Sequence, residues 1–307
     1  VEGYLKWLEG SIERLEELHK KKKHRRIRDR LAPLSPRYLL PFLSQLGLFR
    51  PEADLDPFGF DPSLYERIRP VVRFLFEEYF RVEVEGVEQV PVRGPAILVA
   101  NHGGLFPLDA LLIRYALEEY HPTGHSPRFL IEDWFMQLPF VGIFLARLGA
   151  LRGSPTNARY LLKQGEIVGI FPEGAKAVGK PFRHRYEIQR FGRGGVIRLA
   201  VNLKVPIIPA AVVGAEETHP VLLRIPLPTN RSGIQFFPLT PFFPWLGLLG
   251  LIPLPVRWVL RFHPPFPLPD RTPLDEPEIA RLNDQLRKLI QSSVFELYQR
   301  RRTAWIL

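Results

Sequence analysis

The chain has 307 residues, no cysteine and a formal net charge of +10, with 46% hydrophobic and 24% charged residues. That length suits one principal domain with helical extensions, and the composition is ordinary for a globular protein, suggesting neither a wholly disordered chain nor a polytopic membrane protein. Without cysteine there is no disulfide, no thiolate zinc site and no cysteine nucleophile.

Residues 1–30 read as a charged helix, because Leu5, Leu8, Ile12, Leu15 and Leu18 recur at helical spacing. The opening VEGYLKWLEG lacks the basic start and apolar core of a signal peptide. Lys20–Arg30 holds eight Lys or Arg against one Asp. Such a block suits anionic lipid headgroups, nucleic acid or a solvated segment. The stretch LAPLSPRYLLPFLSQLGLF is broken by Pro33, Pro36 and Pro41, and the turn-rich RPEADLDPFGFDP reads as a linker. A second helix is expected over about 63–80, kinked at Pro70.

From Arg81 the pattern changes. RVEVEG alternates and AILVAN is a short apolar run, as a buried strand would be. A helix follows over PLDALLIRYALEEY, with Pro107 suited to its first position. Further strands are expected at 128–132, 167–171, 206–213, 234–237 and 257–262, with helical patterns at about 134–147, 155–164 and 193–203. This alternation predicts an α/β fold, a mixed and mostly parallel sheet flanked by helices. The chain divides into an N-terminal helical, basic region and linker (1–80), an α/β domain (81–274) and a C-terminal helix (275–307). The segment PFFPWLGLLGLIPLPV (241–256) is too short and proline-rich to span a bilayer. It lies in a membrane interface, lines an apolar groove or packs as a loop on the core.

His102 stands where a strand should end, a position from which side chains reach a crevice in α/β proteins. Asp109 falls in the first turn of the following helix, where the helix dipole favours its ionised form. A carboxylate returning to the imidazole would hold its tautomer and stabilise the cation. Alone, the pair reads as a strand end followed by a helix start. Arg152 stands at another strand end, and GIFPEGAKAVGKPF sets Glu173 and Gly174 just beyond a strand, followed by Lys176, Lys180, Arg183 and Arg185. For Asn101 the plain reading is an amide that satisfies backbone groups; for Arg152 it is a surface ion pair; for Glu173 it is a helix-cap carboxylate.

In order and spacing, these segments resemble the motif blocks of the glycerolipid acyltransferases, the lysophosphatidate acyltransferase family. The blocks are Asn101-His102 with Asp109, Arg152, Phe171-Pro172-Glu173-Gly174, and Val205-Pro206-Ile207-Ile208-Pro209, and the resemblance covers about 81–270. The family's usual first block has four residues between His and Asp, whereas this chain has six. The Asn-His-x-Gly-x-x-Pro-x-Asp form, with RFGRGG and VVGAEE, is similar to the branch that includes mono- and diacylglycerol acyltransferase-like proteins.

The resemblance implies an O-acyltransferase that moves a fatty acyl group from acyl-CoA or acyl carrier protein to a glycerolipid hydroxyl. It implies His102 as base, Asp109 as its partner, and Arg152, Glu173, Gly174 and Lys176 at the acceptor. Asn101, Lys180, Arg183 and Arg185 are further candidates, the last three toward an anionic headgroup or the donor's phosphates. No metal or cofactor is implied beyond the acyl thioester. Without Cys or a G-x-S-x-G elbow, direct attack is expected. The first expectation for the acceptor is a lysophospholipid such as lysophosphatidate, the alternative mono- or diacylglycerol. A lipid-binding protein without turnover is the reading from another class. The apolar substrate implies a membrane surface as partner and a peripheral or monotopic location on the cytoplasmic face. No nucleic acid is expected as partner, since nothing pairs the basic block with a reading motif.

Overall fold

The computed structural model describes residues 55–124, 126–138, 140–227 and 236–301. The helix and basic block expected over 1–30, and the proline-broken segment after them, lie outside the described residues. Helix α1 (Pro62–Phe74) starts at Asp61, whose carboxylate accepts the Leu64 N–H at 3.0 Å, satisfying a donor that the helix itself leaves unpaired. It runs through Pro70 without interruption and widens into a π turn at Leu75–Tyr79. Pro70 and Glu66 both face solvent, on the side where the proline removes one helical hydrogen bond. Val72, Phe76 and Phe80 pack into the same core as the sheet.

The strands in chain order are β1 (Glu83–Glu85), β2 (Ala96–Ala100), β3 (Arg128–Ile131), β4 (Leu151–Arg152), β5 (Ile167–Ile170), β6 (Ile207–Val213), β7 (Leu223–Pro226), β8 (Phe236–Leu239) and β9 (Val259–Phe262). Seven form one sheet in the order β1-β9-β6-β2-β5-β3-β4, while β7 and β8 make a separate antiparallel hairpin. All neighbours in the large sheet are parallel except β6 and β9. The sheet is therefore mixed and mostly parallel, as expected from the sequence.

The helices after α1 are α2 (Leu108–Tyr120), α3 (Asp133–Gln137), α4 (Val141–Arg147), α5 (Pro155–Lys163), α6 (Gly195–Leu203), α7 (Ala215–Thr218) and α8 (Glu276–Arg300). All five residues of β2 are buried, because helices cover both faces of a parallel sheet. Ile97 and Val99 face one core with α5, α6 and α8, whereas Ala96, Leu98 and Ala100 face the other with α1 and α2. The single helix expected over 134–147 is two. Leu138 is extended, with ψ of 130°, since a residue before proline is driven out of the helical region. Strand β7 was not expected: it ends on a proline and three of its four residues are exposed, so it lacks the pattern of a half-buried strand. Among the described residues no helix is long and apolar enough to cross a membrane.

This topology brings the carboxyl ends of β6, β2, β5, β3 and β4 to one edge, side by side. His102, Glu173, Glu132 and the start of α7 follow four of those ends, and Arg152 closes the fifth.

Candidate active site

His102 leaves the end of β2, and Asp109 enters on the first turn of α2. The Asp109 carboxylate returns to the imidazole, with Oδ2 2.6 Å from Nδ1, and both side chains are buried. The same oxygen accepts the Gly103 N–H at 3.2 Å, and Oδ1 accepts the Ala110 N–H at 2.9 Å. The ring stacks on Phe171, centroids 4.6 Å apart, and Phe171 stacks on Phe129. Gly169 makes this stack feasible: a Cβ there would stand 2.4 Å from the Phe129 ring.

With Nδ1 engaged, Nε2 is the nitrogen left for the cavity of about 420 Å³ that His102 lines. Burial works against the imidazolium, but the charge and hydrogen bond of Asp109, helped by Glu173 and Glu216, outweigh it and hold the His102 pKa above its ordinary value. A second, almost wholly apolar groove of about 360 Å³ runs between α2, β3 and α4, and both spaces share Pro107, Ile131 and Phe135.

The loop from Gly103 to Pro107 is held from below. The Gly104 carbonyl accepts the Gly179 N–H at 3.0 Å. Gly103 sits so close to α7 that a Cβ there would lie 2.6 Å from Glu216 Cγ. Glu216 is buried and pairs with Lys180 at 2.7 Å, and Lys180 Nζ also donates to the Glu187 carbonyl at 2.6 Å. Burial pushes the Glu216 carboxyl up to about 7, against the pull of Lys180 and the Tyr186 N–H.

Several candidate residues do not line the cavity beside His102. Both Glu173 oxygens accept backbone N–H groups, from His102 at 2.9 Å and Gln189 at 2.6 Å. Its carboxylate is a buried brace for the His102 backbone, and burial raises its pKa. Asn101 binds both backbone groups of Val212, donating at 2.9 Å and accepting at 2.7 Å, which extends the β2–β6 ladder by one side chain. Lys180 is buried and held by Glu216. Arg185 lies over the Phe182 and Tyr298 rings and donates to the Tyr298 hydroxyl at 3.0 Å. Arg183 is exposed and bonds His184 at 3.0 Å.

Of the remaining candidates, one lines the cavity and two lie near its lining residues in the chain. Gly174 lines it, as do Gly153, Glu132 and Asp133. Arg152 is exposed and grips Asp133 through two bonds of 2.6 Å. Lys176 is exposed on the turn that begins at Gly174. Sequence reasoning missed Glu132, Asp133 and Glu216. The strand end RFLIE could have marked Glu132 by its level with His102, and VVGAEE carried Glu216 without a role.

A buried His–Asp pair at this sheet edge agrees with the class that comparison gives: a family model described as Acyltransferase matches residues 81–213. More narrowly, the chain belongs to the glycerolipid acyltransferase family and is an acyltransferase. It is 41% identical over 252 residues to an uncharacterized protein of Mycobacterium tuberculosis (strain ATCC 25618 / H37Rv), covering 81% of this chain and 70% of that one. It is 26% identical over 155 residues to the "DGAT1/2-independent enzyme synthesizing storage lipids" of Homo sapiens, 49% of this chain and 47% of that one. It is 26% identical over 153 residues to the "Probable 1-acyl-sn-glycerol-3-phosphate acyltransferase" of Mycoplasma pneumoniae (strain ATCC 29342 / M129 / Subtype 1), 48% of this chain and 54% of that one. Among solved structures, the 1-acyl-sn-glycerophosphate (LPA) acyltransferase PlsC from Thermotoga maritima is similar with a TM-score of 0.49 and 19% identity, covering 87% of this chain and 90% of its own.

Proposed function

We propose that the enzyme moves a fatty acyl group from an acyl thioester, acyl-CoA or acyl carrier protein, to a free glycerolipid hydroxyl at a membrane surface. The observation that carries this reading is the buried His102–Asp109 pair, 2.6 Å apart, opening on a cavity that adjoins an apolar groove. Nε2 of His102 takes the acceptor's proton as its oxygen attacks the thioester carbonyl. The tetrahedral intermediate expels the thiolate, and the imidazolium returns the proton to sulfur. An ester C–O bond forms, the C–S bond breaks, and a free thiol leaves. Asp109 keeps the tautomer and stabilises the imidazolium. The groove suits an acyl chain, since its lining is almost entirely apolar. No cofactor beyond the thioester is needed.

The acceptor we put first is a lysophospholipid such as lysophosphatidate. Arg152 and Lys176 support it: each is exposed and close in sequence to a glycine, 153 or 174, that lines the cavity. An exposed ion pair is weak, so Arg152 can exchange Asp133 for a phosphate. A neutral acceptor, mono- or diacylglycerol, is the second reading. It is favoured by the two carboxylates, Glu132 and Asp133, in the cavity lining and by the storage-lipid name of the human relative. The test is an acceptor panel with one labelled acyl-CoA, products resolved by class, and His102→Ala as control. If no acceptor is acylated while lipid still binds, the lipid-binding reading replaces the enzymatic one.

The location we propose is peripheral or monotopic on the cytoplasmic face. An apolar substrate and the Lys20–Arg30 block support it. Replacing the block's Lys and Arg by Gln should reduce sedimentation with anionic vesicles; unchanged sedimentation removes the block from this role.

A further inference from the structure

The hairpin β7–β8 and the turn after it carry apolar side chains that the core leaves out. Leu222, Leu223, Trp245, Leu246, Leu249 and Ile252 are each more than half exposed, Trp245 at 65% and Leu249 at 68%. They belong to one lobe. The Leu222 N–H donates to the Leu239 carbonyl at 2.7 Å, the Phe237 and Phe243 rings meet at 5.2 Å, and the Leu254 N–H returns the chain to the Thr218 carbonyl at 2.9 Å.

Its charge is one-sided. Among its described residues, 220–227 and 236–256, there is no Asp, Glu or Lys, and the one Arg is Arg224. Large exposed apolar patches on soluble proteins mark interaction sites. An exposed tryptophan among leucines, with arginine and no carboxylate, matches the headgroup level of an anionic bilayer, where indole and guanidinium groups both reside.

The lobe also abuts the candidate site. His219 bonds the Leu251 carbonyl at 2.9 Å, and its ring meets Phe106 edge-on at 5.2 Å. Phe106 lies between His102 and Asp109 in the chain and lines the apolar groove.

We propose that this lobe is the face on which the α/β domain sits in a lipid bilayer, with Trp245, Leu246 and Leu249 immersed at the interface. Lipid substrates then pass by Phe106 into the groove without crossing water. This rests on the membrane-surface reading above and assigns it a surface.

The absence of cysteine permits a clean test on the full chain. Leu249→Cys, and as control Lys288→Cys on the exposed side of α8, are each labelled with an environment-sensitive fluorophore. Each is mixed with vesicles of equal parts phosphatidylglycerol and phosphatidylcholine. At position 249 the emission shifts to the blue and is quenched by nitroxide-labelled lipid, while position 288 keeps its aqueous spectrum. If the protein pellets with vesicles but position 249 stays water-like, the lobe assignment is wrong and the membrane reading stands. If the protein does not pellet, the membrane reading fails and this one with it. If position 249 is shielded before vesicles are added, a second copy or another segment covers the lobe, and the proposal is overturned.

A second variant reads the consequence for turnover. Trp245→Glu with Leu249→Glu raises KM for a vesicle-embedded acceptor by about tenfold or more, the scale of withdrawing one or two buried apolar side chains. Activity on a short-chain acceptor dispersed as monomers stays unchanged. Equal loss on both acceptors overturns the assignment.

Discussion

Asp109 Oδ2 and His102 Nδ1 lie 2.6 Å apart although the residues are seven positions apart in the chain, joined by a loop that leaves β2 and re-enters α2. The pair should behave as a unit. His102→Ala is expected to lower acyl transfer by about 10²–10⁴-fold, the usual weight of general acid–base catalysis, and Asp109→Asn by a large part of that. Labelled acyl transfer measures both. Near-normal turnover in His102→Ala would remove the histidine from the mechanism.

The pH dependence follows from the same pair. A base works in its neutral form, so kcat/KM should rise with pH through the His102 pKa and level off above it. That pKa is held above its ordinary value of about 6.5. In Asp109→Asn, burial is left less opposed, so the rising limb should move to lower pH as the plateau falls. A limb at unchanged pH in this variant would assign the titration to another group.

Gly103 is fixed by contact. In Gly103→Ala the new Cβ would stand 2.6 Å from Glu216 Cγ, and Glu216 is anchored by Lys180. The loop must yield, which overpacking of this kind converts into about 1–3 kcal/mol. Activity is expected to fall with the melting temperature, whereas Gly192→Ala, where nothing lies within 4 Å, should leave both in place.

Lys180→Met should destabilise in a pH-dependent way. The Glu216 carboxyl, at about 7 in the folded chain, stands above its unfolded value of about 4.3. The stability it contributes is therefore full below the unfolded value and is lost as pH rises through about 7. Without Lys180 the folded pKa rises further. The cost, about 3–5 kcal/mol for an orphaned buried charge, appears at pH 8 and is smaller at pH 6. Melting curves at the two pH values decide it, and equal losses would mean that the pair's charge is not what matters.

Arg152→Ala tests the acceptor. Its ion pair with Asp133 is exposed, so the melting temperature should not move. KM should rise for a phosphate-bearing acceptor and stay unchanged for diacylglycerol. The same KM change on both would take Arg152 away from phosphate recognition.

Much of the fold could be read along the chain. The apolar runs at 96–100, 128–131, 167–170 and 207–213 are strands because both sheet faces are covered, and continuous burial leaves an unbroken apolar pattern. His102 and Asp109 were legible as a strand end and a first helical turn, and the motif order singled them out as a pair. For Glu173, Lys180 and Arg185 the position was legible but not the partner. A charged side chain beyond a strand can face a ligand or turn inward, and sequence spacing carries no sign of which partner awaits it. Glu173 met two backbone N–H groups and Lys180 met Glu216, both from segments distant in the chain.

Local pattern by itself determined the parallel sheet, the strand ends that bear the motif residues, and a chemistry without cysteine, because these follow from residue type and period. Tertiary structure alone decided that the carboxylate of Asp109 reaches the imidazole across the longer loop, that Glu173 and Lys180 meet buried partners from distant segments, and that the apolar turn after β8 faces outward. Each of those outcomes depends on which distant segment fills the space beside a residue, and that is a property of packing.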